Sequence, residues 1–263
     1  MSRSDQDGML PIFEAAGDGR CFRATERAAG PWSAAFCHGG APSALLVQVA
    51  EGVAPPVPMD VARVTVELLR PVPVSELEVQ CSVVRDGRKL QLMAVSMRAS
   101  ATEVARASIL RIRTEASPPV ELAQGQAMSL PAAGQGEHTR SPQKGGFSAT
   151  FDMRSVHGGF EQLGAASVWF RMRAPLVSGL ETTPAARAVA AADYANGIAG
   201  ILPFDDWSYP DPRPDRWPHP APVRRLDDGR RMHLHRGYGA RDLPRPPRRR
   251  AGLDRPRAAD LDP

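Results

Sequence analysis

With 263 residues, 42% of them hydrophobic, the chain can bury one large or two ordinary cores, and no apolar stretch approaches the ~18 residues a membrane span needs. The basic pI of about 9.3 misleads: residues 1–209 sum to −2 and residues 210–263 to +6, so the body offers no reason to bind a nucleic-acid backbone. Cys21, Cys37 and Cys81 are odd in number and lack CxxC spacing, which argues against a disulfide framework or a zinc site; with no leader pattern at the start, a cytoplasmic location is expected.

Residues 20–26 read as a short strand, and the loop Gly30-Pro31-Trp32-Ser33 leads to His38-Gly39-Gly40. The almost wholly apolar segment Ala41 to Ala50 follows, and a helix apolar on every side must be surrounded by protein. Four strands are expected next. Val64, Val66 and Leu68 alternate with Arg63, Thr65 and Glu67; Leu77, Val79, Cys81 and Val83 alternate with Glu76, Glu78, Gln80 and Ser82. Asp86-Gly87 turns the chain as in a hairpin, into Leu90 to Ala99 and then Val104 to Arg113. One strand, a buried helix and four more strands make a curved sheet wrapped around a helix.

Residues 115–146, rich in Pro, Gly, Ser and Gln, read as a linker, after which the order begins again. Phe147 to Val156 and Ala166 to Arg173 are expected strands, and Pro184 to Ala199 a helix with Pro in its opening turn. The repeat calls for roughly 60 residues of alternating strand at this point. Instead, Pro210 to Pro263 holds 14 Arg, 11 Pro and 8 Asp, with no Lys. Proline cannot donate to a sheet ladder, so the second helix is expected to stay uncovered. Two expectations stand for this tail, an out-of-frame reading of the missing strands and a genuine disordered Arg/Pro tail; for the first, codons can be chosen for Pro212 to Pro220 that, shifted by one base, spell Pro-Asp-Leu-Thr-Val-Gly-Leu-Ile-Arg, which is a strand. The divisions expected are a first domain at 10–114, a linker at 115–146, a partial second domain at 147–209 and an Arg/Pro-rich tail at 210–263 without fixed structure.

The set Gly30-Pro31-Trp32-Ser33, His38-Gly39-Gly40, Ala44-Leu45-Leu46, Leu69-Arg70-Pro71-Val72-Pro73, Arg85-Asp86-Gly87-Arg88 and Ala105-Arg106-Ala107 resembles the thioesterase-like superfamily, double-hotdog relatives of the type II acyl-CoA thioesterases. Trp169-Phe170-Arg171 and Ala192-Asp193-Tyr194-Ala195-Asn196-Gly197 extend the likeness over about residues 10–209. The resemblance implies an α+β fold of two tandem hotdogs, each an antiparallel sheet around a central helix, the second incomplete here. It also implies hydrolysis of acyl-CoA, a step of fatty acid metabolism, with no metal or redox cofactor. Similar thioesterases orient the attacking water with an Asp on the second central helix and with a Thr and a Gln from later strands. Asp193 matches the Asp; no residue of this chain matches the other two. The product is therefore expected to be a thioesterase-like protein impaired in turnover, with a non-catalytic acyl-binding or scaffold protein as the alternative.

Thioester hydrolysis needs a carboxylate to activate water and N–H donors for the oxyanion. Asp193, among Ala190, Ala191, Ala192 and Ala195, is the candidate carboxylate, because an enclosed acid is costly unless paired or functional. Gly39 and Gly40 could offer backbone amides at a helix start, with His38 beside them as a substrate-binding group or a cap. Cys37 next to His38 is a small buried residue rather than a nucleophile, since neighbours in an extended segment face opposite ways. Trp169 and Phe170 are expected to pack on the two faces of one strand. Expected partners are an acyl-CoA and, with apolar helix surface left bare, a second copy of the chain.

Overall fold

A helix with no polar face has to be enclosed, and that requirement organises the molecule. The computed structural model describes residues 9–17, 19–31, 33–115, 135–141 and 145–200, and the backbone of 223–225 and 232–236. Helix α1, Gly40–Glu51, buries Ala41, Ala44, Leu45, Leu46, Val47 and Ala50. Around it curls an antiparallel sheet of β1 (Phe13–Ala16), β2 (Cys21–Ala24), β3 (Met59–Leu68), β4 (Glu76–Asp86), β5 (Leu90–Ala99) and β6 (Thr102–Arg113). Their spatial order is β1-β2-β4-β5-β6-β3. The alternation places Val79, Met93, Val95, Met97, Ala107 and Ile109 in the core. Between β4 and β5, Gly87 N donates to Leu90 O at 3.1 Å, closing the expected hairpin.

The second half holds β7 (Glu137–Thr139), β8 (Phe151–Gly159), β9 (Gln162–Met172), α2 (Pro184–Ala192), α3 (Ala195–Ile198), β10 (Val223–Arg225) and β11 (Met232–Arg236). Its sheet runs β10-β11-β9-β8-β7. The architecture is the expected tandem hotdog, with a smaller second sheet.

Several elements differ from the sequence reading. The alternation of Phe13 to Ala16 was too short to register, yet it pairs with β2 as an edge strand. Within the 115–146 segment, Glu137–Thr139 pairs with β8. The strand expected from Phe147 opens instead as a 3-10 turn, Gly146–Thr150, with Phe147 fully buried. The expected helix 184–199 breaks at Asp193-Tyr194 into α2 and α3. Finally, the tail was expected to hold no strand, but β10 pairs with β11 and β11 pairs with β9 from Met232↔Phe170 to Arg236↔Ala166. The physical reason lies in the sequence: residues 223–243 contain no proline, and Met232 and Leu234 alternate with His233 and His235. The remainder of 201–263, including the positions of the proposed frame change, lies outside the described residues.

Small side chains let α1 and α2 lie antiparallel and close. A Cβ on Gly40 would stand 2.5 Å from Ala190 O. At the other end Thr183 N donates to Gln48 Oε1 at 3.0 Å. Main-chain bonds also tie the halves together: Ile12 N to Pro175 O at 3.0 Å, Phe13 N to Leu176 O at 2.9 Å and Phe147 N to Ala29 O at 3.0 Å. Among the described residues, no helix is long and apolar enough to cross a membrane.

Candidate active site at the helix junction

The start of α1 meets the end of α2. Thr183 caps α2 by accepting from Ala186 N at 3.2 Å, and Pro184 fits its first turn, where the missing N–H costs nothing. Nine residues later the helix closes at Asp193. At this point Asp193 Oδ2 lies 3.0 Å from His38 Nδ1, so a carboxylate of the second half faces the imidazole of the first. The His38 side chain is 11% exposed and that of Asp193 44%; the carboxylate therefore sits on the open side of the pair.

Burial pushes the pKa of Asp193 up, but the hydrogen bond and charge of His38 and the Gly40 N–H outweigh it and hold the carboxyl below its ordinary value. An ionised carboxylate only accepts, so His38 Nδ1 carries the proton of this contact. Gly40 N approaches the same Nδ1 at 3.2 Å; with that nitrogen donating, the Gly40 N–H is shared toward the carboxylate. The positive end of α1 adds to the attraction.

The other amides of this helix start can be followed one by one. Ala41 N donates to His38 O at 2.9 Å, Pro42 has no N–H, and Ser43 N donates to Gly39 O at 3.2 Å. Among the described residues the Gly39 N–H has no hydrogen-bond partner. Of the two glycine amides singled out from the sequence, Gly39 holds the free one. Gly40 is required sterically, since its Cβ would meet the Ala190 backbone, whereas a Cβ on Gly39 would meet only the side-chain tips Asp193 Oδ2 at 2.8 Å and Leu68 Cδ1 at 3.0 Å. Leu68, 47% exposed, gives the site an apolar border.

Aromatic rings hold the imidazole. Tyr194 stacks on His38 with centroids 4.6 Å apart, and Phe147 approaches at 5.0 Å. Tyr194 is 3% exposed, and its hydroxyl lies 3.1 Å from Ser148 Oγ. Burial pushes the phenol pKa up, the Ser148 contact works against this, and the charge of Asp193 adds to it. The sequence reading named Asp193, His38, Gly39 and Gly40 and missed Phe147, Ser148, Leu68 and the part played by Tyr194. A lone tyrosine in an alanine-rich helix was a signal for the last of these.

Cys37 is not part of the site. Its Sγ is 3.6 Å from Pro73 O, and burial pushes the thiol pKa up to about 12, so it stays a protonated packing group. Trp169 and Phe170 are both buried, as expected, and Phe170 lies 5.3 Å from the Tyr194 ring.

Two sheets, each with its own helix and joined through the paired helices, define the tandem hotdog class. Residues 28–112 match the family model described as the acyl-CoA thioesterase N-terminal domain, bearing out the likeness read from the sequence. No curated protein matches the chain. Among solved structures, a conserved hotdog-fold protein of unknown function from Alicyclobacillus acidocaldarius is similar at 17% identity and TM-score 0.52, over 73% of this chain and 69% of that one. A candidate thioesterase from Novosphingobium aromaticivorans is similar at 21% identity and TM-score 0.51, over 71% and 72%. A candidate thioesterase II from Thermobifida fusca, at 14% identity and TM-score 0.50, covers 88% and 83%. These likenesses carry the fold.

Proposed function

We propose that the protein acts on acyl-CoA thioesters and that water attack at the helix junction yields a free acid and CoA. Asp193, ionised and on the open side, accepts a hydrogen bond from the attacking water and takes up its proton as the C–O bond forms. The oxyanion that develops on the thioester carbonyl is met by the Gly39 N–H at the positive end of α1. Collapse breaks the C–S bond, and the CoA sulfur leaves as thiolate and takes the proton from Asp193, which restores the carboxylate. Leu68 offers apolar surface for the acyl group beside the reacting carbon. One observation carries the reading: Asp193 Oδ2 lies 3.0 Å from His38 Nδ1 beside the start of α1, where among the described residues the Gly39 N–H has no hydrogen-bond partner. A carboxyl held below its ordinary pKa is a weak base, and no Thr or Gln matching those of similar thioesterases assists it, so turnover is expected to be slow.

Free-thiol release from acyl-CoAs of graded chain length tests this. Hydrolysis by the full chain, reduced about 100-fold or more in Asp193→Asn, supports the assignment. No turnover by the wild-type chain, or equal turnover by Asp193→Asn, overturns it. The gene sequence across the codons for Ser208 to Arg213 separately decides whether a shifted frame supplies the missing strands.

A further inference from the structure

We infer that Ser148, Tyr194 and His38 form a positioning chain whose purpose is to aim the Asp193 carboxylate, and that His38 serves the reaction through Asp193 rather than by touching substrate. This rests on the proposed function for its purpose, but its geometry stands independently.

The chain begins in the second half. Ser148, 7% exposed, lies in the 3-10 turn before β8, and its Oγ is 3.1 Å from the Tyr194 hydroxyl. That contact fixes the phenol at its far end. The Tyr194 ring then lies nearly parallel to the His38 imidazole, with centroids 4.6 Å apart and planes 28° apart. Phe147, fully buried and 5.0 Å away, limits the imidazole further. Held between the two rings, His38 places Nδ1 3.0 Å from Asp193 Oδ2. Each link is short and each member before Asp193 is largely enclosed.

Relative exposure sets the direction of action. A group that meets substrate must be reachable, and of the pair Asp193 is about four times the more exposed. His38 stands behind it, as the hydrogen-bonding group behind a metal-bound histidine fixes that ligand's orientation. The ionisable groups that face Asp193 are His38 and Tyr194, and the Gly40 amide adds a fixed dipole. A rearranged imidazole therefore has one principal consequence: the carboxylate loses its donor.

Carboxyl-carbon NMR titration of the full chain labelled at aspartate tests the chain without requiring turnover. His38→Asn is expected to move the Asp193 titration upward by at least about one pH unit, a tenfold change in proton affinity. Tyr194→Leu, which removes the stacked ring, should move it the same way by about half as much. Tyr194→Phe and Ser148→Ala keep the ring and should give a smaller upward shift of equal size, not increased when combined, because both break the same contact. Should Tyr194→Leu fail to fold, this last pair decides the matter. An Asp193 titration unmoved in folded His38→Asn, or unmoved in both Tyr194→Phe and Ser148→Ala, overturns the chain. Where hydrolysis is measurable, the same variants should lower kcat and leave KM unchanged; a raised KM with kcat unchanged would place His38 on the substrate instead. A wild-type chain with no turnover counts against the proposed hydrolase and leaves the titration result to decide the positioning role.

Discussion

The two ends of the α1–α2 pair are built from opposite materials. At the end of α1 side chains join the main-chain bonds of Gly52 and Val53: Gln48 Nε2 donates to Glu181 O at 3.1 Å and its Oε1 accepts from Thr183 N, while the Thr183 hydroxyl reaches Glu51. Arg111, only 3% exposed, turns its guanidinium onto the last carbonyls of α1, donating to Ala50 O and to Val53 O at 2.8 Å. A buried cation at a helix C-terminus is well placed both as donor and against the dipole. At the start of α1 the N-cap Gly39 has no side chain to cap with, and only the Gly40 N–H is met by side chains, those of His38 and Asp193; two glycines, a carboxylate and one spare amide stand there. Capping closes one end to ligands and its omission opens the other.

The contrast can be broken from either end. Gly40→Ala should have the largest effect, about 3 kcal/mol of lost stability by denaturant titration, since its methyl meets Ala190 O and Phe147 rather than movable side-chain tips. Arg111→Met should cost about 2 kcal/mol by removing the guanidinium hydrogen bonds to Ala50 O, Val53 O and Gln91 Oε1, with any acyl-CoA turnover unchanged. Removing the α2 cap in Thr183→Ala should cost about 1 kcal/mol, read as a lower Tm. Asp193→Asn should be the mildest for stability, under about 1 kcal/mol, because that pair is partly exposed. Its pH dependence sharpens the comparison. A carboxyl whose folded pKa is lowered contributes stability above its unfolded pKa and loses it as pH falls through the folded one. The Tm difference between wild type and Asp193→Asn should thus be constant near neutrality and vanish in acid, whereas that of Thr183→Ala should persist.

Much of this was legible in the sequence, unevenly. The run from Ala41 to Ala50 announced a buried helix, and alternation on both sides of Asp86-Gly87 announced the hairpin of β4 and β5. Asp193 and the Gly39-Gly40 pair came from their place in the repeat and from resemblance. What stayed hidden depends on distance along the chain. Arg111 looks like one more residue at a strand end until folding lays it against Ala50, and Phe147 and Tyr194 become partners of His38 only when the two halves meet. Strands β10 and β11 were concealed differently: averaging 11 prolines over residues 210–263 hid the proline-free stretch 223–243.

The main-chain bonds from Ile12 and Phe13 to residues 175 and 176, and from Phe147 to Ala29, bear on how the protein is made. A ribosome delivers the first sheet and α1 well before the segment that shelters them, at about 5–20 residues per second. Until α2 emerges, one flank of α1 stays wet and the bonds at both seams stay open. The newborn first half thus keeps apolar helix surface exposed, and its packing is completed only when residues near the far end of the described chain arrive.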